Sequence, residues 1–434
     1  MLALIEVAVA LLAGLMMTRL FKLLKLNFPD VTAFLIAGLA IGPYLLGRIG
    51  IQGLGFTTME EVNAIDIISD VALGFIAFAI GNEFRLSQLK ETGKQATVIG
   101  IVQAVFASLL VDAALIGLHF ILGDEILSLP AAITLGAIAS ATAPAATLMV
   151  VRQYKAKGKL TDLLLPIVAL DDAVGLVVFA VSFGIARALR SGEIDIISVL
   201  VEPLIEIVAS LLLGSLMGVI LTQLEKLFYS NGNRLALAIG FVILTIGLAN
   251  LTFTIGAVTV RFSSLLVCMM LGTMLCNLCE RSPDIMHRTD KWTVPLNCLF
   301  FVLSGAELEL SVFKNVAVIG IGVVYIIARS AGKYIGAMSS AKVMKCDANT
   351  CKYLGITLLP QAGVALGMAA TASSFGGEDA VIIRNIVLFS VMVYELVGPQ
   401  MTRMALQAAG EIAPQEEHTK THDRFDSKPP VKNA

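Results

Sequence analysis

Residues 140–180 read SATAPAATLMVVRQYKAKGKLTDLLLPIVALDDAVGLVVFA, and three features of this stretch decide the fold. An apolar run is interrupted by Thr142, Ala143 and Pro144. A short loop then carries Arg152, Lys155, Lys157 and Lys159. A second apolar run holds Asp171 and Asp172 near its middle. Proline removes a backbone donor and clashes with the preceding turn, so the first run is expected to break as a helix at Pro144. In lipid, the freed N–H and C=O groups must be buried in protein or line a cavity. A charge at the bilayer centre costs about 2.5–3.5 kcal/mol on insertion scales, so two adjacent acids at that depth point to an ion pathway.

The rest of the chain supports a membrane setting. Its 434 residues are 57% hydrophobic and 15% charged, with a mean hydropathy of +0.86. A soluble domain carries about 25% charged residues. About 20 apolar residues cross the hydrocarbon core as a helix. On that measure thirteen spans are expected, at 2–20, 31–49, 64–82, 95–122, 130–151, 160–186, 197–224, 233–249, 252–277, 294–309, 312–340, 352–371 and 381–407. The first could pass for a signal peptide, but it lacks a basic start and a small-residue cleavage site, and Glu6 interrupts it. The polar segment 410–434, with His418 and His422, is expected to be a disordered cytoplasmic tail after a membrane domain over 1–409.

Basic residues cluster on alternate loops. One set holds Arg19, Lys22, Lys25, Arg85, Lys90, Lys94, Arg152, Lys155, Lys157, Lys159, Lys226, Arg234, Arg281, Arg288, Lys291, Lys342, Lys345 and Lys352, and the other only Arg48, Arg187, Arg190 and Lys314. The positive-inside rule then puts the N-terminus outside and the C-terminus in the cytoplasm of a cell inner membrane.

A second broken span, YLGITLLPQAGVALGMAATA, carries Pro360, Gln361 and Gly363 where the first carries Thr142 to Pro144. Each is fifth in a group of six spans, at about 2–186 and 233–407, and a linker helix at about 197–224 lies between the groups. One intervening helix inverts the second group relative to the first. Paired discontinuous helices in inverted repeats point to a midplane binding site in a secondary transporter.

Adjacent helical residues point about 100° apart, so Asp171 and Asp172 cannot face one partner. One is expected to look toward the broken helices and the other toward a neighbouring span, where Lys333 in VVYIIARSAGKYIGAMSS is the natural partner. Arg329, one turn before Lys333, hardly ever deprotonates and suits a structural clamp, with Glu395 in VYELVGPQ expected as its counter-ion. Asp112, Glu202 and Glu206 are expected in packing or vestibule roles, and Glu83 and Glu307 near membrane surfaces. The six cysteines form no disulfide framework, and the lone CxxC at Cys276 and Cys279 is incomplete as a zinc site.

These motifs resemble the cation:proton antiporter-2 family of the monovalent cation/proton antiporter superfamily. The resemblance runs from VTAFLIAGLAIGP near residue 31 to YELVGPQ near 394, through the opening stretch, FFVLSGAELEL, ARSAGKYIGA and LLPQAGVALG. It is strongest toward NapA-type sodium/proton antiporters and the membrane domain of Kef-type systems. It implies thirteen helices divided into a mobile core and a dimerisation domain, crossed discontinuous helices at spans five and twelve, an elevator-like movement and a homodimer. It further implies that Asp172 is the main cation and proton carboxylate, that Asp171 pairs with Lys333, and that Thr142 adds an oxygen near a bound sodium ion. A DD pair with lysine in the GK motif resembles the electrogenic members. Kef-type chains carry a nucleotide-binding domain, whereas no GxGxxG with a βαβ unit occurs here, so no nucleotide or other cofactor is expected. The expected partners are a small monovalent cation, protons, the lipid bilayer and a second copy of the chain, with no nucleic acid.

Other classes fit less well. An intramembrane aspartyl protease needs two acids converging on one water, and adjacent acids diverge. A channel wants a ring of acids or carbonyls around a continuous pore. The broken helices alone would allow an organic-substrate transporter, but the apolar surroundings and the paired acids favour a bare cation. A Kef-like potassium/proton antiporter without its nucleotide-binding domain is the alternative within the same class.

Overall fold

The computed structural model describes residues 2–26, 28–50, 55–82, 84, 86–191, 201–255, 258–308, 316–372 and 377–412. The tail from 413 onward, with His418 and His422, lies outside the described residues, as do Glu83, Arg85 and Lys314.

The chain is helical almost throughout. Its first half runs α1 (Leu2–Leu23), α2 (Asp30–Ile41), α3 (Met59–Asn63), α4 (Ile67–Asn82), α5 (Leu86–Leu122), α6 (Leu129–Ile138), α7 (Pro144–Gln153) and α8 (Lys159–Ser191). Then come α9 (Glu202–Glu225), α10 (Asn231–Ala249), a two-stranded hairpin of β1 (Phe253–Ile255) and β2 (Val258–Val260), and α11 (Ser264–Leu278). The last part holds α12 (Ser282–Ala306), α13 (Val316–Val343), α14 (Ala348–Thr357), α15 (Gly363–Ala372) and α16 (Gly377–Ala408). Among the described residues, eight helices are long and apolar enough to cross a membrane: α1, α2 with the turn after it, α5, α8, α9, α10, α13 and α16. The protein is an α-helical integral membrane protein that crosses the bilayer several times.

Three boundaries differ from expectation. The ninth run is not helical from 252, because LTFTI and VTV are β-branched and aromatic and pair as an antiparallel hairpin. The helix begins only at Ser264, after Ser263 accepts from the Leu266 N–H as an N-cap. Arg261 therefore lies exposed in the stretch before α11, not inside a span. The tenth run, expected from 294, is helical from Ser282, since a proline in the first turn suits a helix start. The second run stops as an α-helix at Ile41, where Gly42 and Pro43 cannot continue it, and ends in a short 3-10 turn at Leu46–Ile49.

The helices pack in two groups. In one, α11 lies on α4 and α9 while α12 lies on α2 and α4, around Phe75, Phe78, Leu271 and Val302. In the other, α13 lies along α5, and α6 and α8 pack beside it, around Leu115, Leu135, Ile138 and Tyr325. Small residues allow the close approaches. Gly38 of α2 sits against the Val302 carbonyl of α12, and Gly305 against that of Leu35, so any β-carbon there would collide with backbone. The α7 helix lies between the groups, packed on α4 and α16.

Candidate functional site

The site forms where two helices stop. The α6 helix ends at Ile138, residues 140–143 run on without helix, and Pro144 restarts the chain as the first residue of α7, where its missing N–H is not needed. The α14 helix likewise ends at Thr357, and α15 begins at Gly363. Ten-residue helices rise about 15 Å, half of a hydrocarbon core about 30 Å thick, so both breaks lie near mid-depth. They cross in contact, with the Ala143 N–H donating to the Pro360 carbonyl at 2.8 Å.

The orphaned carbonyls are taken up by side chains. Arg329 of α13, fully buried, donates through Nε to Ala139 O at 3.0 Å, through Nη2 to Ala141 O at 2.6 Å and through Nη1 to Leu359 O at 2.7 Å. One guanidinium thus holds both breaks. Gln361 Nε2 donates to Ile138 O at 3.1 Å and to the Tyr325 hydroxyl at 3.0 Å, while its Oε1 accepts from Ser390. The expected pair between Arg329 and Glu395 is not formed. The Tyr394 ring lies 4.5 Å from the guanidinium carbon. Glu395, one residue on and about 100° around the helix, faces a cleft instead. Arg329 is still a clamp, but its partners are backbone.

Lys333, one turn along α13, is also fully buried. Its ammonium donates to Ser140 O at 2.6 Å, to Thr142 Oγ1 at 2.7 Å and to Asp171 Oδ2 at 2.9 Å. An ammonium has three protons, so this set uses all of them. Asp171 receives a second bond on Oδ1, from Gln103 Nε2 of α5 at 2.5 Å. Asp172 points elsewhere: its Oδ1 is buried and has no hydrogen-bond partner. The two neighbours therefore differ: Asp171 is bonded through both oxygens, whereas Asp172 keeps an unpartnered Oδ1. Thr142 accepts from Lys333 and reaches Leu358 O at 3.5 Å.

A cleft of about 320 Å³ opens between the two helix groups. Its floor is formed by Ala143 and Pro144 at the first break and by Ala362 and Gly363 at the second. Its walls carry Asp66, Ser69 and Asp70 of the α4 start, Ser304 and Glu307 at the α12 end, and Glu395 of α16. At its opposite end α7 is tied to the first group. Arg152 Nη1 contacts Asp290 Oδ1 of α12 at 2.5 Å, and Gln153 Oε1 accepts from the Asp30 N–H of α2 at 2.9 Å.

Several of these residues escaped the sequence reading. Gln103 was visible as a lone amide in the apolar VIGIVQAVFA, but nothing in the sequence aims it at Asp171. Glu307, expected near a membrane surface, is half-buried and lines the cleft. Asp112 lies against Gly136, and its Oδ1 is buried without a hydrogen-bond partner.

Crossed, broken helices beside a buried carboxylate pair define a membrane secondary transporter. Residues 7–408 match the family model described as sodium/hydrogen exchanger, transmembrane, and the chain belongs to that family. It is 24% identical over 379 residues to the high-affinity Na+/H+ antiporter NhaS3 of Synechocystis sp., covering 85% of this chain and 77% of that protein. It is 23% identical over 386 residues to the K+/H+ antiporter subunit KhtU of Bacillus subtilis, covering 87% and 88%. Its fold is similar to that of the sodium proton antiporter MjNhaP1 from Methanocaldococcus jannaschii, with a TM-score of 0.68, 20% identity and coverage of 94% and 98%. The chain is a monovalent cation:proton antiporter and not an enzyme; it needs no cofactor, and the transported ions are its substrates.

Proposed function

We propose that the chain performs electrogenic Na+/H+ exchange by alternating access, with Asp171 and Asp172 binding cation and protons competitively. The observation that carries this reading is the asymmetry of the pair. Asp171 is held by Lys333 and Gln103, whereas Asp172 keeps a buried oxygen without a partner. An unfilled carboxylate oxygen at mid-depth is a ligand for a hard monovalent cation or for a proton, and not for both at once. Breaking the Lys333–Asp171 contact would free a second carboxylate and the Thr142 hydroxyl to complete the oxygen set. Release of the lysine proton in that step would make transport sensitive to membrane potential.

The architecture proposed for this cycle has thirteen crossings in two inverted groups of six, with α9 as the linker. The group containing α5, α6, α8 and α13–α16 slides against the other as the cation site changes sides. The separate cores of the two groups support that division. A homodimer in the plasma membrane, N-terminus outside, completes the proposal, supported by the family resemblance and by the bias of basic loops.

The test is proton flux in proteoliposomes under an imposed pH gradient, with sodium, lithium or potassium added in turn and the potential clamped or free. Collapse of the gradient by sodium, at a rate that follows the potential, is expected. A response to potassium alone would favour the alternative reading, which the similarity to KhtU supports. A rate indifferent to potential would remove electrogenicity.

A further inference from the structure

We propose that the cleft beside the breaks is a loading site, which holds a hydrated monovalent cation by Glu395, Glu307 and Ser69 before the ion reaches Asp172. The inference rests on the exchange reading above and adds a binding step to it.

Four carboxylates line or flank this cleft, those of Asp66, Asp70, Glu307 and Glu395, and no basic side chain is among its described lining residues. Glu307 is near enough to repel both Glu395 and Asp66, and Asp66 repels Asp70. Acids inside membrane proteins are ordinarily paired with a base or a backbone group. Glu395 is only 8% exposed and has neither an ion pair nor a hydrogen bond among the described residues. The Ser69 hydroxyl, on a different helix, is 9% exposed and equally without a partner. A nearly buried carboxylate and a nearly buried hydroxyl facing the same cleft, with no protein partner for either, offer oxygen donors that suit a cationic ligand.

Size and geometry narrow the class. The cleft is about 320 Å³, far more than the roughly 30 Å³ of one water molecule, so an ion enters with much of its hydration shell. No three His, Cys, Asp or Glu side chains among the described residues converge closely enough to hold a metal ion directly. Divalent cations such as calcium need six to eight converging oxygens. A monovalent cation held partly through water does not, and an acid-lined cleft with low-dielectric walls concentrates it. Asp172 is not part of the cleft lining, so the floor at Ala143, Pro144, Ala362 and Gly363 separates loading from exchange.

The experiment compares Glu395→Gln/Glu307→Gln with the wild type in right-side-out and everted membrane vesicles. Losing two nearby charges should raise the apparent KM for sodium at the cleft face about ten-fold, with the maximal rate changed less than about two-fold and the KM at the other face unaltered. An unchanged KM at the cleft face, or an equal rise at both faces, overturns the proposal. Should the double variant not assemble, Glu307→Gln at its half-exposed position carries the same comparison alone. Sodium NMR on the purified full-length Asp172→Asn chain separates this proposal from the exchange reading. Line broadening should persist there and vanish when Glu395→Gln and Glu307→Gln are added; equal broadening with and without them defeats the loading site. Absence of sodium exchange by the wild type defeats the exchange reading instead.

Discussion

The crossing of the broken helices and the cleft beside it are neighbours that treat polar groups in opposite ways. At the crossing, Arg329, Lys333, Gln361 and the Ala143 N–H are matched to carbonyls and to Asp171, and every proton of the Lys333 ammonium is used. In the cleft, Glu395 and Ser69 are nearly buried and unmatched. The difference separates two jobs that apolar surroundings otherwise confuse. Backbone that cannot reach water must be filled by protein, and it then becomes a rigid floor. On the proposed reading, the unfilled groups that face the cleft are where an ion is held. Asp171 and Asp172 repeat the contrast within two residues, one fixed and one open.

The contrast predicts unequal consequences when filled and unfilled groups are altered. Arg329→Met should be the most damaging, because it orphans three buried carbonyls at about 1–3 kcal/mol each. Purified protein should lose much of its thermal stability in detergent, with a melting shift of about 6 °C or more at roughly 2–4 °C per kcal/mol. A shift under about 3 °C would show that the crossing is not held from Arg329. Lys333→Ala comes next, since it leaves Asp171 buried without its base. The rate of gradient collapse in proteoliposomes should stop responding to membrane potential, and an unchanged response would remove the lysine from the charge cycle. Gln103→Leu should slow exchange about ten-fold, the worth of one charge-assisted bond of about 1.4 kcal/mol. A wild-type rate would show that Lys333 alone positions Asp171.

The smallest effect is expected at the other end of α7. Arg152 and Asp290 are partly exposed, and such pairs contribute about 0.2–1 kcal/mol. Arg152→Ala should raise amide exchange at the α7–α8 turn and change transport by less than about five-fold. A complete loss of transport would make this contact an essential gate.

Much of this was legible in the sequence because lipid penalises the features that matter. Proline at 144 and 360 and acids at 171 and 172 are costly at mid-membrane, so their presence marked the breaks and the carboxylate pair. The partners of Arg329 were not legible. They are backbone carbonyls, which every residue carries and no sequence distinguishes, so the visible acid Glu395 was the natural but mistaken choice. The hairpin at 253–260 was hidden because its apolar residues count equally toward a helix or a strand, and only β-branching tells them apart. Glu307 was expected near a membrane surface with no ligand role; the packing of α12 beside α4 and across the cleft from α16 brings it into the cleft lining.

The central claim is that exchange runs on the Asp172 carboxylate. Its most direct test is uptake of radioactive sodium, driven by a pH gradient, into proteoliposomes holding equal amounts of folded wild type or Asp172→Asn. The amide is nearly isosteric but neutral, so uptake should fall at least about 100-fold with the melting temperature preserved. Uptake by Asp172→Asn within about two-fold of the wild-type rate would contradict the claim and move the exchanging group elsewhere.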